Sequence, residues 1–170
     1  RDGDGTYNFQ DIDSDGDNIS DFFEGLETGT PINTDQALPG GGDEFEDFRD
    51  FDSDDDGIAD KLESALDAPS EDEAGRPHDA DSDGTPDYRE LDADNDGFYD
   101  SFEAGPDLTN PLNSDGTPLY DFQQEDADGD GMLDEFEAGI QKDAVTGKFI
   151  LEPVNTDADF ANGDEFYDFQ

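Results

Sequence analysis

The chain has no cysteine and no tryptophan, one histidine, one methionine, and only seven lysine and arginine residues among 170. Without cysteine there is no disulfide framework. No apolar run is long enough to span a membrane. The seven basic residues stand against 52 Asp and Glu, a net charge of -45. That balance excludes nucleic acid as a partner, because phosphates would be repelled. No nucleophile stands with a base, and there is no oxyanion site or cofactor loop. Carboxylate pairs abound, but paired acids alone do not make a glycosidase. Catalysis within this segment is not expected.

Apolar residues are also scarce, at 30%. Composition alone places the chain near the disordered class, where charge repulsion and little apolar surface prevent collapse. Two features argue otherwise. The acids recur at fixed spacings, and 14 Phe are too many for a solvating tail. The expectation is a chain poorly ordered without metal and compact with it, metal binding supplying much of the folding free energy.

The organising stretch is Asp79 to Glu103, two twelve-residue loops with one leucine between them. Each matches D-x-[DN]-x-[DN]-G followed by five residues and Glu, the carboxylate pattern of a calcium loop. The first offers Asp79, Asp81, Asp83, Asp87 and Glu90 at positions 1, 3, 5, 9 and 12. The second offers Asp92, Asp94, Asp96, Asp100 and Glu103. Calcium takes six to eight oxygens, and oxygens on alternate residues of a short loop can wrap it. Gly84 and Gly97 at position 6 permit the sharp turn. Magnesium demands tighter octahedral geometry, so calcium is the expected ion.

The second loop type recurs as Asp13, Asp15, Asp17, Asp21, Glu24; as Asp52, Asp54, Asp56, Asp60, Glu63; and as Asp126, Asp128, Asp130, Asp134, Glu137. Asn18 takes the place of the position-6 glycine in the first of these, and Asn tolerates the left-handed conformation. Apolar residues at positions 7 and 11 (Ile19 and Phe23, Ile58 and Leu62, Phe98 and Phe102, Met132 and Phe136) lie on one face of a short helix leaving each loop. Gly25, Gly105 and Gly139 follow as helix caps, while the second helix is expected to run on through Leu66.

A weaker partner loop precedes each strong one. Asp79–Glu90 is the complete example. The others are Asp2, Asp4, Asn8, Asp11; then Asp35, Asp43, Asp47, Asp50, interrupted by residues 37–42; and Asn113, Asp115, Asp121, read as carrying about two extra residues. A fifth, Asp157, Asp159, Asp164 and Asp168, is interrupted at 160–163. An aromatic follows position 9 in each: Phe9, Phe48, Tyr88, Phe122 and Phe169. These are expected to pack between metal clusters as a string of small aromatic cores.

Connectors of the form P-x-N-x-D begin at Pro31, Pro111 and Pro153, with Pro77-His78-Asp79 as a variant, and proline stiffens each approach. Residues 145–151 are read as a small hairpin and 64–78 as a solvated loop. His78 reads as a connector residue, and the sequon Asn18-Ile19-Ser20 inside a metal loop as chance. The units are repeat 1 at 1–34, repeat 2 at 35–76, repeat 3 at 77–112, repeat 4 at 113–154, and the start of a fifth at 155–170. Residues 163–170 align with 3–10, and the chain opens on Arg1 inside a loop, so a slice of a longer array is expected.

These loops, their pairing and the P-x-N-x-D connectors resemble the thrombospondin type 3 repeat, especially the cysteine-free form of bacterial surface and secreted proteins. The similarity covers nearly the whole chain. It implies a mostly irregular, calcium-stabilised repeat array, with short helices of one to three turns and little or no sheet, serving as a stalk or spacer. Animal members carry disulfides that are absent here. Dockerin and EF-hand loops place their apolar residue at position 8, whereas here it stands at 7. The expected partners are several calcium ions, further copies or adjoining repeats, and the expected location is extracellular or on the cell surface. Alternatives are a self-assembling filament or sheath subunit, a calcium-dependent adhesin, and an acidic halophile surface without specific sites.

Overall fold

The computed structural model describes residues 2–26, 29–38, 42–64 and 76–137. Among them the backbone is mostly irregular, with short helical turns and no strands. The reason lies in who satisfies the backbone. Aspartate side chains accept N–H groups that a helix or sheet would otherwise pair, forming local turns that compete with regular structure. Asp54 accepts from Asp56 N at 3.1 Å and Asp56 from Ile58 N at 2.7 Å. Asp94, Asp96, Asp128 and Asp130 do the same two residues on. Where a loop opens on aspartate, that carboxylate accepts the N–H at position 6: Asn18 donates to Asp13, Gly57 to Asp52 and Gly84 to Asp79, all at 3.1 Å.

From the first strong loop onward, each described loop is closed at its ninth residue. The N–H of Asp21, Asp60, Asp87, Asp100, Asp121 and Asp134 donates to the carbonyl just before the loop, at 2.8–3.1 Å. The ninth carboxylate returns to the second N–H: Ser14 and Ser53 donate to Asp21 and Asp60 at 2.7 Å, Ala93 to Asp100 at 2.8 Å. These paired bonds make each twelve-residue loop a closed ring.

From that clasp the two loop types diverge. Strong loops leave by a single α-turn: α1 (Asp60–Glu63), α2 (Asp100–Glu103) and α3 (Asp134–Glu137). The first strong loop instead makes a π-type turn over Phe22–Leu26, broken at Gly25. Partner loops make only a 3-10 turn, at Asn8–Gln10, Asp47–Arg49, Asp87–Arg89 and Asp121–Gln123, and then become extended. One residue separates a partner loop from the next, which leaves no room for a full α-turn. The expected continuation of α1 through Leu66 is not seen where it can be judged: the helix ends at Glu63, with Ser64 as its cap. Residues 65–75 lie outside the described residues, as do Gly139, Phe169 and the expected hairpin at 145–151.

Two spacings read from the sequence are settled by the clasp. In the interrupted partner loop Thr34 N donates to Asp47 thirteen residues on, so the ring closes despite the insertion. In the Asn113 loop, Ser114 N reaches Asp121 seven residues on, as Ala80 N reaches Asp87 in the complete loop. The two extra residues expected there do not exist. Thr117 and Pro118 occupy positions 5 and 6, so a ligand aspartate and the turn glycine are replaced and nothing is inserted.

Apolar packing is small and local. Ile58, Ala93, Ala104 and Phe122 form one buried cluster flanked by Leu62, Leu108 and Tyr120. Tyr88 and Ile19 are buried elsewhere. Small aromatic cores are therefore present at Tyr88 and Phe122, but not throughout. Phe9 is 83% exposed and stacked only on Tyr7, and Met132 and Phe136 are exposed as well. Phe9 belongs to the first partner loop, at the position that Tyr88 and Phe122 hold in later ones.

Candidate metal sites

Turning one carboxylate oxygen of each aspartate toward the backbone leaves the other facing the loop interior. In the strong loops these oxygens are buried: Oδ2 of Asp15, Asp17, Asp54, Asp56 and Asp94 has no hydrogen-bond donor. Glu24 and Glu63 are 0% exposed, and neither oxygen of either carboxylate is hydrogen-bonded. Burying an ionised carboxylate without a partner costs several kcal/mol even after relaxation, on the order of the Born penalty reduced by water penetration. The charges compound this. Burial pushes Glu24 up to about 11, aided by the negative charges of Asp17, Asp15, Asp60 and Asp21. Burial likewise raises Asp60 to about 8 and Asp100 to about 10. Asp15, Asp54, Asp94 and Glu63 are all raised by burial and then by neighbouring carboxylates.

Carboxylate oxygens within 4.8 Å of one another form several groups that could hold a metal ion. They include Asp13-Asp15-Asp17 and Asp52-Asp54-Asp56 in strong loops, and Asp2-Asp4-Asp11 and Asp35-Asp43-Asp50 in partner loops. The interrupted partner loop thus brings its third, fifth and twelfth positions together despite the insertion, as the uninterrupted first one does. A further group, Asp17-Glu24-Asp60, joins two loops. In the complete partner loop, burial and the charges of Asp83, Asp81, Asp87 and Asp79 raise Glu90 to about 8.

Not every expected ligand faces a cluster with a free oxygen. Asp47 accepts Thr34 N at one oxygen, with the Thr34 hydroxyl and Arg89 Nε at the other. Asp87 accepts Ala80 N at one oxygen, while the other meets His78 Nδ1 and Gln123 Nε2, both at 2.7 Å. Asp21 and Asp121 are held at both oxygens by Ser14 and Ser114. The ninth carboxylate of these loops therefore serves as the clasp. Asn113 directs its side-chain amide to the carbonyls of Thr117 and Leu119 at 2.6 Å. Asn8 opens a 3-10 turn. Asp128 and Asp130 are exposed, and Asp126 accepts Gly131 N at 3.0 Å. Asp157, Asp159, Asp164, Asp168 and the side chain of Glu137 lie outside the described residues.

Sequence reasoning missed two features. Position 4 is left-handed as well as position 6: Asp55, Ser82 and Asn95 have φ of 61°, 61° and 58°. The alternating small and polar residues at that position (Gly16, Asp55, Ser82, Asn95, Gly129) are the visible trace of it. It also missed the ties between repeats. Arg89 bonds Asp47 at 2.8 Å and the Phe23 carbonyl at 3.2 Å. Gln123 does the equivalent for Asp87 and the Glu63 carbonyl. Both residues stand at position 11 of a partner loop, and each reaches an aspartate of the preceding repeat and a carbonyl of the repeat before that.

The chain matches no family model, no curated protein and no solved structure. Among the described residues no helix is long and apolar enough to cross a membrane.

Proposed function

We propose that this is a non-catalytic, calcium-built repeat segment of the thrombospondin type 3 kind, acting as a rigid stalk or spacer of an extracellular or cell-surface protein. The observation that carries the reading is the pair of fully buried glutamates, Glu24 and Glu63, whose four oxygens have no hydrogen-bond donor. An ion coordinated by oxygen turns that penalty into binding energy, and the donor set is wholly carboxylate and carbonyl oxygen, which suits a hard cation. Calcium ions, about eight to ten by loop count, cancel part of the -45 charge and join the repeats into a rod.

Calorimetric titration with calcium, with circular dichroism and small-angle scattering before and after chelator, tests this. Saturable uptake of several ions, ordering on addition and expansion with chelator are expected. A chain equally compact with and without calcium, taking up none, overturns the reading in favour of an acidic surface without sites.

A second reading, a self-assembling filament or sheath subunit, is favoured by one surface. Tyr7, Phe9 and Ile12 of the first repeat are 60%, 83% and 77% exposed. Tyr88 and Phe122, the position-10 counterparts of Phe9, are buried. Electron microscopy and sedimentation in calcium distinguish a subunit that polymerises from a spacer that does not.

A further inference from the structure

The loop pattern assigns each ninth aspartate to its own ring. The geometry around Asp60 disagrees. Its carboxylate does close its own loop, accepting Ser53 N at 2.7 Å and the Ser53 hydroxyl at 2.6 Å. Yet it also lies within 4.8 Å of carboxylate oxygens of Asp17 and Glu24, which belong to the preceding strong loop. All three residues are buried, at 3%, 0% and 0% exposure for Asp17, Glu24 and Asp60. Neither oxygen of Glu24 nor Oδ2 of Asp17 has a hydrogen-bond donor. Three buried carboxylates converge there, two of them with undonated oxygens and the third with lone pairs left beside its Ser53 bonds, and they are mutually repulsive unless a cation sits among them.

We propose that one divalent cation is held jointly by Asp17, Glu24 and Asp60, so that the ninth aspartate of the second strong loop is a ligand of the first loop's ion. This rests on the calcium reading above. It gives the ninth aspartate two faces, one clasping its own ring and one completing the site before it. Each loop site is then incomplete until the next loop has closed. Rigidity comes from ions that staple neighbours, in addition to the small apolar clusters.

At the next junction the same residue types face one another across two loops. The charges acting on buried Glu63 come from Asp54 and Asp56 of its own loop, from Asp60, and from Asp100 of the following loop. Asp100 in turn feels Asp56 and Asp54. Ala93 stands where Ser53 stands in the second loop, so no hydroxyl reaches Asp100, and its Oδ2 is buried without a donor.

Double substitution separates shared from separate ions. Calcium stoichiometry is measured on the full chain for Glu24→Gln, Asp60→Asn and the pair, and for Asp54→Asn with Asp60→Asn. Asn keeps an oxygen for the Ser53 N–H, so the ring can still close. If Glu24 and Asp60 share an ion, the Glu24→Gln/Asp60→Asn pair loses no more tightly bound calcium than either single variant. Asp54→Asn/Asp60→Asn then loses one ion more than its singles. The reverse pattern places Asp60 with its own loop alone and overturns the joint site, leaving the calcium reading intact. No calcium uptake by the unsubstituted chain overturns both. The same design at the next junction, Glu63→Gln with Asp100→Asn against Asp94→Asn with Asp100→Asn, covers the case in which Asp60→Asn fails to fold in calcium.

Discussion

The strong and partner loops have nearly the same sequence and the same clasp, yet among the described residues only partner loops hold carboxyls below the usual range as well as above it. In the strong loops burial drives carboxyl groups upward, to about 11 at Glu24 and about 10 at Asp100. In the partner loops exposed Asp83 and half-buried Asp115 are held below the usual carboxylate range, chiefly by the backbone N–H groups of Thr85 and Thr117. The difference is one of cover. The first three strong loops bury most of their carboxylates, whereas Asp128 and Asp130 of the fourth are exposed. A partner loop turns extended after three residues and leaves carboxylates such as Asp4, Asp43 and Asp83 exposed, although Asp35 and the ninth aspartates are buried. Occupied by an ion, the first kind gains most of its stability from relieving buried charge, and the second pays little either way.

The largest test of that contrast is pH in the absence of metal. The strong-loop carboxyls have folded values above their unfolded ones near 4. Groups of this kind contribute stability that is fully present below the unfolded value and lost as pH rises through the folded value. For Asp60, Asp100 and Glu24 that window runs from about 4 up to about 8, 10 and 11. In chelator the chain is therefore expected to be compact near pH 4 and expanded near pH 8, by scattering and circular dichroism. In calcium the dependence reverses, because protons displace the ion, and compaction is expected at pH 8. A metal-free chain whose dimensions ignore pH between 4 and 8 sinks the idea that its buried carboxyls govern the fold.

Next in size is Glu63→Gln set against Glu90→Gln. Glu63 is fully buried with both oxygens unpaired, whereas Glu90 is half-buried and less strongly raised. In calcium, Glu63→Gln removes a ligand from a covered site and is expected to cost about 3 kcal/mol, by analogy with breaking a buried ion pair. For a chain of this length that corresponds to a fall in Tm of roughly 6–12 °C. In chelator the sign inverts, since the neutral amide is easier to bury, and the variant should melt above the parent. Glu90→Gln should show both effects at less than half the size. Equal effects at the two positions, measured by scanning calorimetry, would erase the distinction between covered and open loops.

How much of this the sequence discloses depends on the range of the interaction. The loop itself is legible because its causes are local. Alternate aspartates, the sixth residue (Asn18 at φ 82°, Gly57 at 99°) and the apolar seventh position all act within twelve residues. The helical turns at Asp60 and Asp100 follow from the same spacing. What crosses between repeats is not written as a period. Arg89 and Gln123 are unlike residues doing one job, donating to an aspartate of the preceding repeat and a carbonyl of the repeat before it. The double role of Asp60 is invisible for the opposite reason, because the clasp and the ligand require the same residue type. The partner-loop ninth aspartates illustrate the cost of that ambiguity: Asp47 and Asp87 fit the ligand pattern, and both their oxygens are taken by protein donors.

The smallest effect separates the two ends of one strong-loop feature, the left-handed fourth position. Gly16 and Asp55 occupy it in the first and second strong loops, at φ of 87° and 61°. A β-carbon on Gly16 would stand 2.8 Å from that of Asp2, whose N–H is bonded to the Ser14 carbonyl. Gly16→Ala therefore adds backbone strain and a collision between a partner loop and its strong loop, a cost of about 1–3 kcal/mol. Asp55 is exposed. For Asp55→Gly, relief of roughly 1–2 kcal/mol of left-handed strain is largely offset by roughly 0.5–1 kcal/mol of added chain entropy in the unfolded state. That variant should melt close to the parent in calcium. If Gly16→Ala proves as harmless as Asp55→Gly, the first partner loop does not press on its strong loop in solution, and the pairing of loops is looser at that end than at Asp79–Glu103.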